Sequence, residues 1–303
     1  MTFNEIMMSL EIGLIYGIVA LGIYLTFRVI DFPDLTCDGS FVLGAAISST
    51  FIKMGMNPWL SLLSAAFAGS LAGSLTGILY TKFRVTNLLA GILVGFMLYS
   101  INLRVMGGIP NISLLNNETI LGQIPLMQLV MVGLCVCGIV SYLLVTDFGL
   151  GLRAIGQNKR LAQNSGINVP NMTILCLALS NAIIALGGAL FSQHQGFADV
   201  GSGAGTVIIG LASVMIGERI LPYKQIWVQA ISCLIGSITY RLFISLALHG
   251  DFLGLETSDL NLITGILVIA IMYSKSLCSW RIVTRRLPII YRLRSSRLSP
   301  NSN

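Results

Sequence analysis

The chain has 303 residues, of which 55% are hydrophobic and only 10% charged, with a mean hydropathy of +0.84 and a formal charge of +6. A soluble domain carries about a quarter charged residues, so this composition excludes an ordinary soluble domain and indicates a membrane protein. The positive charge sits in loops and toward the C-terminus, which argues against a nucleic-acid-binding surface. The six cysteines (37, 135, 137, 176, 233 and 278) lie mostly in apolar runs with no Cys-x-x-Cys or Cys/His ligand spacing, and read as small buried hydrophobes. Glu5 and Glu11 flank the first apolar residues without a basic n-region, so a cleaved signal peptide is not expected.

A spanning helix needs about 20 mostly apolar residues, with broken or buried ones shorter. The apolar runs predict spans over 8–26, 39–53, 58–80, 87–104, 124–146, 171–192, 204–217, 223–248 and 259–275. The fold class is thus all-α and polytopic, with about 8–9 transmembrane helices, the second and seventh short. Placing the 147–170 loop inside and alternating outward puts 15 of the 18 basic residues on the cytoplasmic side, leaving Lys53, Arg104 and Arg241. The N-terminus is then outside and the C-terminus cytoplasmic. The expected organisation is a transmembrane domain over 1–276 and a basic tail over 277–303.

The first polar interruption is Asp31–Ser40, D-F-P-D-L-T-C-D-G-S, with three carboxylates at the start of an apolar run. Carboxylates at membrane depth are costly and face a cavity or a partner. Pro33 and Gly39 break the helix, and Asp38 and Ser40 are suited to cap the one that follows. Two readings stay open: these acids line a path, or they lie in water and only cap. The third span carries Gly69, Gly73 and Gly77 at four-residue intervals, a flat stripe for close helix packing.

Asp147–Pro170 is the longest polar interruption. Its Arg153, Lys159 and Arg160 supply positive charge, and glycines 149, 151, 156 and 166 permit close backbone approach. It reads as a short surface helix between Gly149 and Gly166, suited to dock in another protein's groove. An ordinary cytoplasmic loop is the plain alternative.

Between Asp199 and Gly210 the chain reads D-V-G-S-G-A-G-T-V-I-I-G, a second glycine-interrupted start of a short span. Paired broken spans in two halves point to a central site between inverted repeats. Gly201, Ser202, Gly203 and Gly205 do not form a phosphate loop, because no GK[ST] follows. Arg104 closes the fourth span and snorkels to an interface. Arg241 lies inside the eighth, where a cation needs a partner or water, so it either pairs with an outer-loop acid or faces the path. His194 and His249 read as interface or loop residues. In the tail, arginines alternate with Trp280, Ile282, Leu287, Ile289 and Tyr291, as on an anionic inner leaflet contacting membrane lipids.

The run G-L-R-A-I-G-Q-N followed by A-Q-N-S-G-I resembles the cytoplasmic loop of ATP-binding-cassette (ABC) importer permeases of the branched-chain amino acid and simple-sugar group. That resemblance implies an inverted-repeat importer permease fold. It also implies a coupling helix seated in an ATPase cleft, with Gly149, Arg153, Ala154, Gly156, Asn158 and Gly166 as coupling residues. Gln157 departs from the pattern, standing where many such loops carry an acid. The D-L-T-C-D-G-S stretch is similar to the D-L-S-x-G-S of sugar-type permeases, where a broken helix lines the translocation path. On that likeness Asp34, Thr36, Asp38 and Ser40 line the path here. Together with L-L-A-G-I-L-V and Y-S-I-N-L-R-V-M-G in the fourth span, the stretch most resembles a subgroup of tryptophan or tyrosine transporters.

The chain has no Walker A sequence, nucleophile elbow or H-E-x-x-H, so it is expected not to be an enzyme. The resemblance implies a permease subunit in the cell (inner) membrane that moves an amino acid or related small solute. Its implied partners are ABC ATPase subunits, an extracytoplasmic solute-binding protein and a second permease copy. The chain itself is expected to bind no cofactor, ATP and Mg being used by the ATPase. An ion-coupled secondary transporter or channel-like protein without an ATPase is the alternative.

Overall fold

In lipid every backbone polar group must be satisfied internally, and the long apolar runs do this by coiling into helices. The computed structural model describes residues 3–115, 117–120, 122, 125–223, 225–249, 264–266 and 269. The ninth predicted span is described only at 264–266 and 269, where it is helical, and the 277–303 tail lies outside the described residues. The chain divides into two units, Met1–Leu255 and Glu256–Asn303, and the architecture below is that of the first.

Helix α1 (Phe3–Ile23) continues into a π-helical stretch, Tyr24–Val29. After a break come α2 (Thr36–Lys53), α3 (Pro58–Thr81) and α4 (Asn87–Val105), then strand β1 (Asn111–Ser113) and α5 (Pro125–Val145). The polar loop forms α6 (Asp147–Gln157) and α7 (Lys159–Asn164). It leads to α8 (Val169–Gln195), strand β2 (Phe197–Asp199), a 3-10 turn (Val200–Gly203), α9 (Thr206–Ile220) and α10 (Ile226–His249). The polar punctuation sets these limits. Asn57 and Asn168 cap α3 and α8 through their side chains, each followed by a proline in the first turn.

Among the described residues seven helices are long and apolar enough to cross a membrane, which makes the chain a multi-pass membrane protein. Helix α2 is not one of them. It carries Thr36, Asp38, Ser40, Ser48, Ser49, Thr50 and Lys53, and most of it is buried inside the bundle. It packs between α3, α4 and α8, while α8 also packs on α1 and α3.

The α3 glycines make that packing possible. A Cβ at Gly69 would strike the Asn181 carbonyl and one at Gly73 the Leu177 carbonyl, while one at Gly77 would come within 2.8 Å of the Ile174 backbone. Gly44 of α2 and Gly188 of α8 meet the opposite backbone in the same way. Outward, Leu63, Phe67, Met131 and Tyr142 form an exposed apolar shell, as lipid or another membrane chain requires. The antiparallel β1–β2 ladder, with Ile112 opposite Ala198, ties the α4–α5 connection to the end of α8. No periodicity announced it.

The contacts sort the helix ends into two poles. At one, Arg28 bonds Glu218 at 2.6 Å and Lys159 of α7 reaches the Tyr80 hydroxyl of α3 at 3.3 Å. At the other, His194 meets Glu11 at 2.8 Å beside the β-ladder. His194 therefore departs from the expectation of an interface or loop residue: its side chain is 8% exposed and paired with a carboxylate. Among the cysteines, 37, 137, 176 and 233 are buried as expected, but Cys135 is exposed.

Candidate functional site

The break between α1 and α2 is built from its own sequence. Asp31 takes a left-handed φ of 53° and the chain turns back into the bundle. There the Asp34 carboxylate accepts the Thr36 N–H at 2.9 Å and the Asn181 Nδ2–H at 2.7 Å. Asp34 is fully buried, so it does not lie in water, although it does cap α2. Thr36 shares a hydrogen bond of 2.8 Å with Thr76 of α3. Ser40 is buried, and its hydroxyl has no partner among the described residues.

Asp38, one turn into α2, reaches across to the second half of the chain. Its carboxylate accepts the N–H of Val207 at 2.9 Å and of Gly205 at 3.4 Å, at the start of α9. Gly203 lies directly against the Asp38 backbone carbonyl, where a Cβ has no room. The two glycine-interrupted starts noted in the sequence thus meet at one point. The 201–205 turn has its own internal tie, since the Asp199 carboxylate accepts the Gly201 N–H at 2.6 Å.

Beside this junction lies a cleft of about 490 Å³ between α2, α4 and the 3-10 turn. Asp38, Gly39, Gly95, Phe96, Tyr99 and Asn102 are among its lining residues. Of the five path candidates, Asp38 is on this lining; Asp34, Thr36, Ser40 and Arg241 are not. Arg241 instead lies over the Tyr16 ring, 4.6 Å from its centroid, beside a cluster of Tyr16, Phe41 and Phe191. Gly95, which reads from the sequence as a packing glycine, and Phe96, Tyr99 and Asn102 were not assigned to the path by the sequence. Asn102 was visible there as an amide inside an apolar run, but a face of α4 cannot be assigned without its neighbours.

The 147–170 loop is two helices rather than one. Asn158 adopts an extended backbone that ends α6, and its side-chain oxygen accepts the N–H of Arg160 and Leu161 to start α7. Gly149 and Gly156 face inward: a Cβ would strike Leu144 from the first and the Val29 carbonyl from the second. Arg153 donates to the carbonyls of Gly149 and Leu144, each at 3.3 Å, and so closes the end of α5. Ala154 is half-buried beside it. Gln157 to Leu161 are exposed at the tip, as is Gly166, whose φ is +84°. Lys159 also sits over the Tyr80 ring, whose edge packs on Phe32 at 5.0 Å.

A family model described as branched-chain amino acid transport system / permease component matches residues 6–272. A tyrosine transport system permease protein of Clostridioides difficile is 40% identical over 267 residues, 88% of this chain and 89% of that protein. A nucleoside ABC transporter permease protein of Lactococcus lactis subsp. cremoris is 32% identical over 238 residues, 70% of this chain and 72% of that one. A solved ABC transporter described as metal-chelate type, in an inward-facing conformation, shares the fold with a TM-score of 0.53 at 15% identity, covering 89% of this chain and 85% of its own. The chain belongs to the branched-chain amino acid transport system / permease component family, and is a multi-pass ABC transporter permease.

Proposed function

We propose that this permease imports an amino acid or a related small solute and takes its energy from separate ABC ATPase subunits through the 147–170 loop. The loop's geometry carries the reading. An exposed tip with Lys159, Arg160 and Leu161 projects from α6, whose inner face is wedged through Gly156 against the end of α1. A push on the tip therefore bears on Val29–Ile30, which lead straight into the Asp31–Leu35 break and the start of α2. Gly149, Arg153 and Gly156 hold the loop's shape, and Ala154, Asn158 and Gly166 present or support the tip. On this reading the loop pole is cytoplasmic, with the N-terminus outside and the basic tail inside.

The cleft beside Asp38 is the solute seat of one chain. Beside it α4 is exposed and apolar through Phe96, Met97 and Ile101, suited to a second permease copy closing the path. The tyrosine transport relative favours an amino acid as cargo, delivered by an extracytoplasmic solute-binding protein. ATP and Mg belong to the ATPase; this chain holds neither.

The test is co-purification of the full-length chain with a co-expressed ABC ATPase from the same organism, comparing wild type with Arg160→Glu/Leu161→Asp. The wild type is expected to retain the ATPase and the exposed double variant to release it while remaining folded. Equal retention by both removes the docking role. Tyrosine uptake by the wild type without nucleotide replaces this reading with ion-coupled transport.

A further inference from the structure

We propose that the cleft between α2, α4 and the turn before α9 is an ammonium seat, in which Asp38 and Asn102 select solutes carrying a protonated amine. The proposal rests on the amino-acid reading above and adds which end of the solute this wall reads. Among the described lining residues Asp38 is the single charged group, and it is acidic. Asn102 lines the same cleft, is 1% exposed, and donates its Nδ2–H to the Gly39 carbonyl at 3.2 Å. That bond fixes the amide orientation and leaves Oδ1 as an acceptor without a partner among the described residues. Oδ1 is itself buried, and buried acceptors left unsatisfied are costly, so a ligand donor that parts the wall enough to reach it gains a hydrogen bond.

The other walls agree with a cation attached to an apolar or aromatic body. Phe96 and Tyr99 project from the α4 side, and aromatic faces attract ammonium groups. Leu35, Val42 and Ile92 supply apolar surface. Among the described residues no basic side chain lines the cleft to meet a carboxylate or phosphate, so an anion there meets repulsion from Asp38. The Asp38 oxygens also receive the N–H groups of Val207 and Gly205, which keeps the carboxylate fixed in place before any solute arrives.

Gly95 provides a mild way to close the seat. A Cβ there would find only the Leu35 carbonyl, at 3.8 Å, so a side chain grows into the cleft rather than into backbone.

The test uses the full-length chain in lipid nanodiscs and three probes that differ in charge: tyrosine, tyramine (ammonium without carboxylate) and 3-(4-hydroxyphenyl)propionate (carboxylate without ammonium). Tyrosine and tyramine are expected to raise the melting temperature, and the propionate to leave it unchanged at the same concentration. Asp38→Asn keeps an oxygen for the Val207 N–H but loses the charge, and is expected to weaken tyramine roughly tenfold or more. Gly95→Leu is expected to abolish the shift while leaving the unliganded melting temperature near that of the wild type.

A propionate shift equal to that of tyramine, tyramine binding unaltered in both variants, or no shift with any amine overturns the seat. Failure of the importer reading looks different. A chain that binds tyramine but never retains an ATPase keeps the seat and loses the coupling. A chain that supports tyrosine uptake but ignores tyramine loses the seat alone.

Discussion

The Cα of Gly156 rests against the main-chain carbonyl of Val29, joining the polar loop of the permease to the last turn of its first helix. The contact reaches the residues just before the Asp31–Leu35 break, within one short stretch of chain from the Asp38 carboxylate at the cleft. The loop and the cleft are thus connected by packed backbone.

Substitution at Gly156 should therefore disturb the permease itself. Gly156→Leu is expected to cost about 1–3 kcal/mol through overpacking against Val29 and to lower the melting temperature and yield of monodisperse chain. Gly166→Ala, at an exposed left-handed position with open space around it, is expected to cost about 1 kcal/mol from backbone strain alone. Fluorescence-detected size exclusion with thermal challenge separates the two. Equal, negligible effects would mean that α6 is not wedged on α1.

The Asp34–Asn181 hydrogen bond of 2.7 Å joins two fully buried side chains, one in the break and one in α8. Asn181→Leu removes a donor from a buried carboxylate, and is expected to destabilise the chain by about 2 kcal/mol, the range for hydrogen bonds to charged groups. A double-mutant cycle with Asp34→Asn checks that the loss belongs to the pair. Additive effects would contradict a direct interaction.

At the α3–α8 contact the glycine stripe leaves no slack. Gly73→Leu forces the Leu177 carbonyl away, and is expected to lower the melting temperature by more than Ser70→Leu at a half-buried position of the same helix. Both variants end in leucine, and since the change from glycine also gains helix propensity, a larger loss at Gly73 is attributable to the contact. A larger loss at Ser70 would show that the stripe does not carry the contact.

Tyr80 touches Lys159 through its hydroxyl and Phe32 through its ring. Tyr80→Phe loses only an exposed hydrogen bond, and its expected cost is about 0.5 kcal/mol. Tyr80→Leu also loses the edge-on ring contact, for a further loss of about 1 kcal/mol. Chemical denaturation of the detergent-solubilised chain reads the difference, and identical midpoints for the two variants would remove the ring contact as a stabilising feature.

The long spans were legible because lipid imposes a simple demand, and eight of the nine predicted runs match helices to within a few residues. The stripe of Gly69, Gly73 and Gly77 was legible as packing, because four-residue spacing fixes one face of a helix. Harder to read were features that depend on what lies across the bundle. The two starts at Asp38 and Gly203 were each recognisable as broken helices, but nothing local states that one caps the other. Arg241 shows the same limit: its position in an apolar run demanded a neighbour, and the aromatic ring of Tyr16 was found there. The 147–170 loop was read as one helix, since neither its charges nor its glycines distinguish a continuous helix from one that Asn158 interrupts.

The hydroxyl-rich helix Thr36–Lys53 sheds light on how this protein assembles. Too polar to partition stably into bilayer on its own, it has to be sheltered by its neighbours, and one of these, Val169–Gln195, is synthesised more than a hundred residues later. Insertion of the early segments therefore precedes completion of the interior, and the nascent protein must tolerate an unshielded polar segment until the later helix arrives. Ribosome pausing or truncation before that helix should leave a species that membrane quality control can recognise.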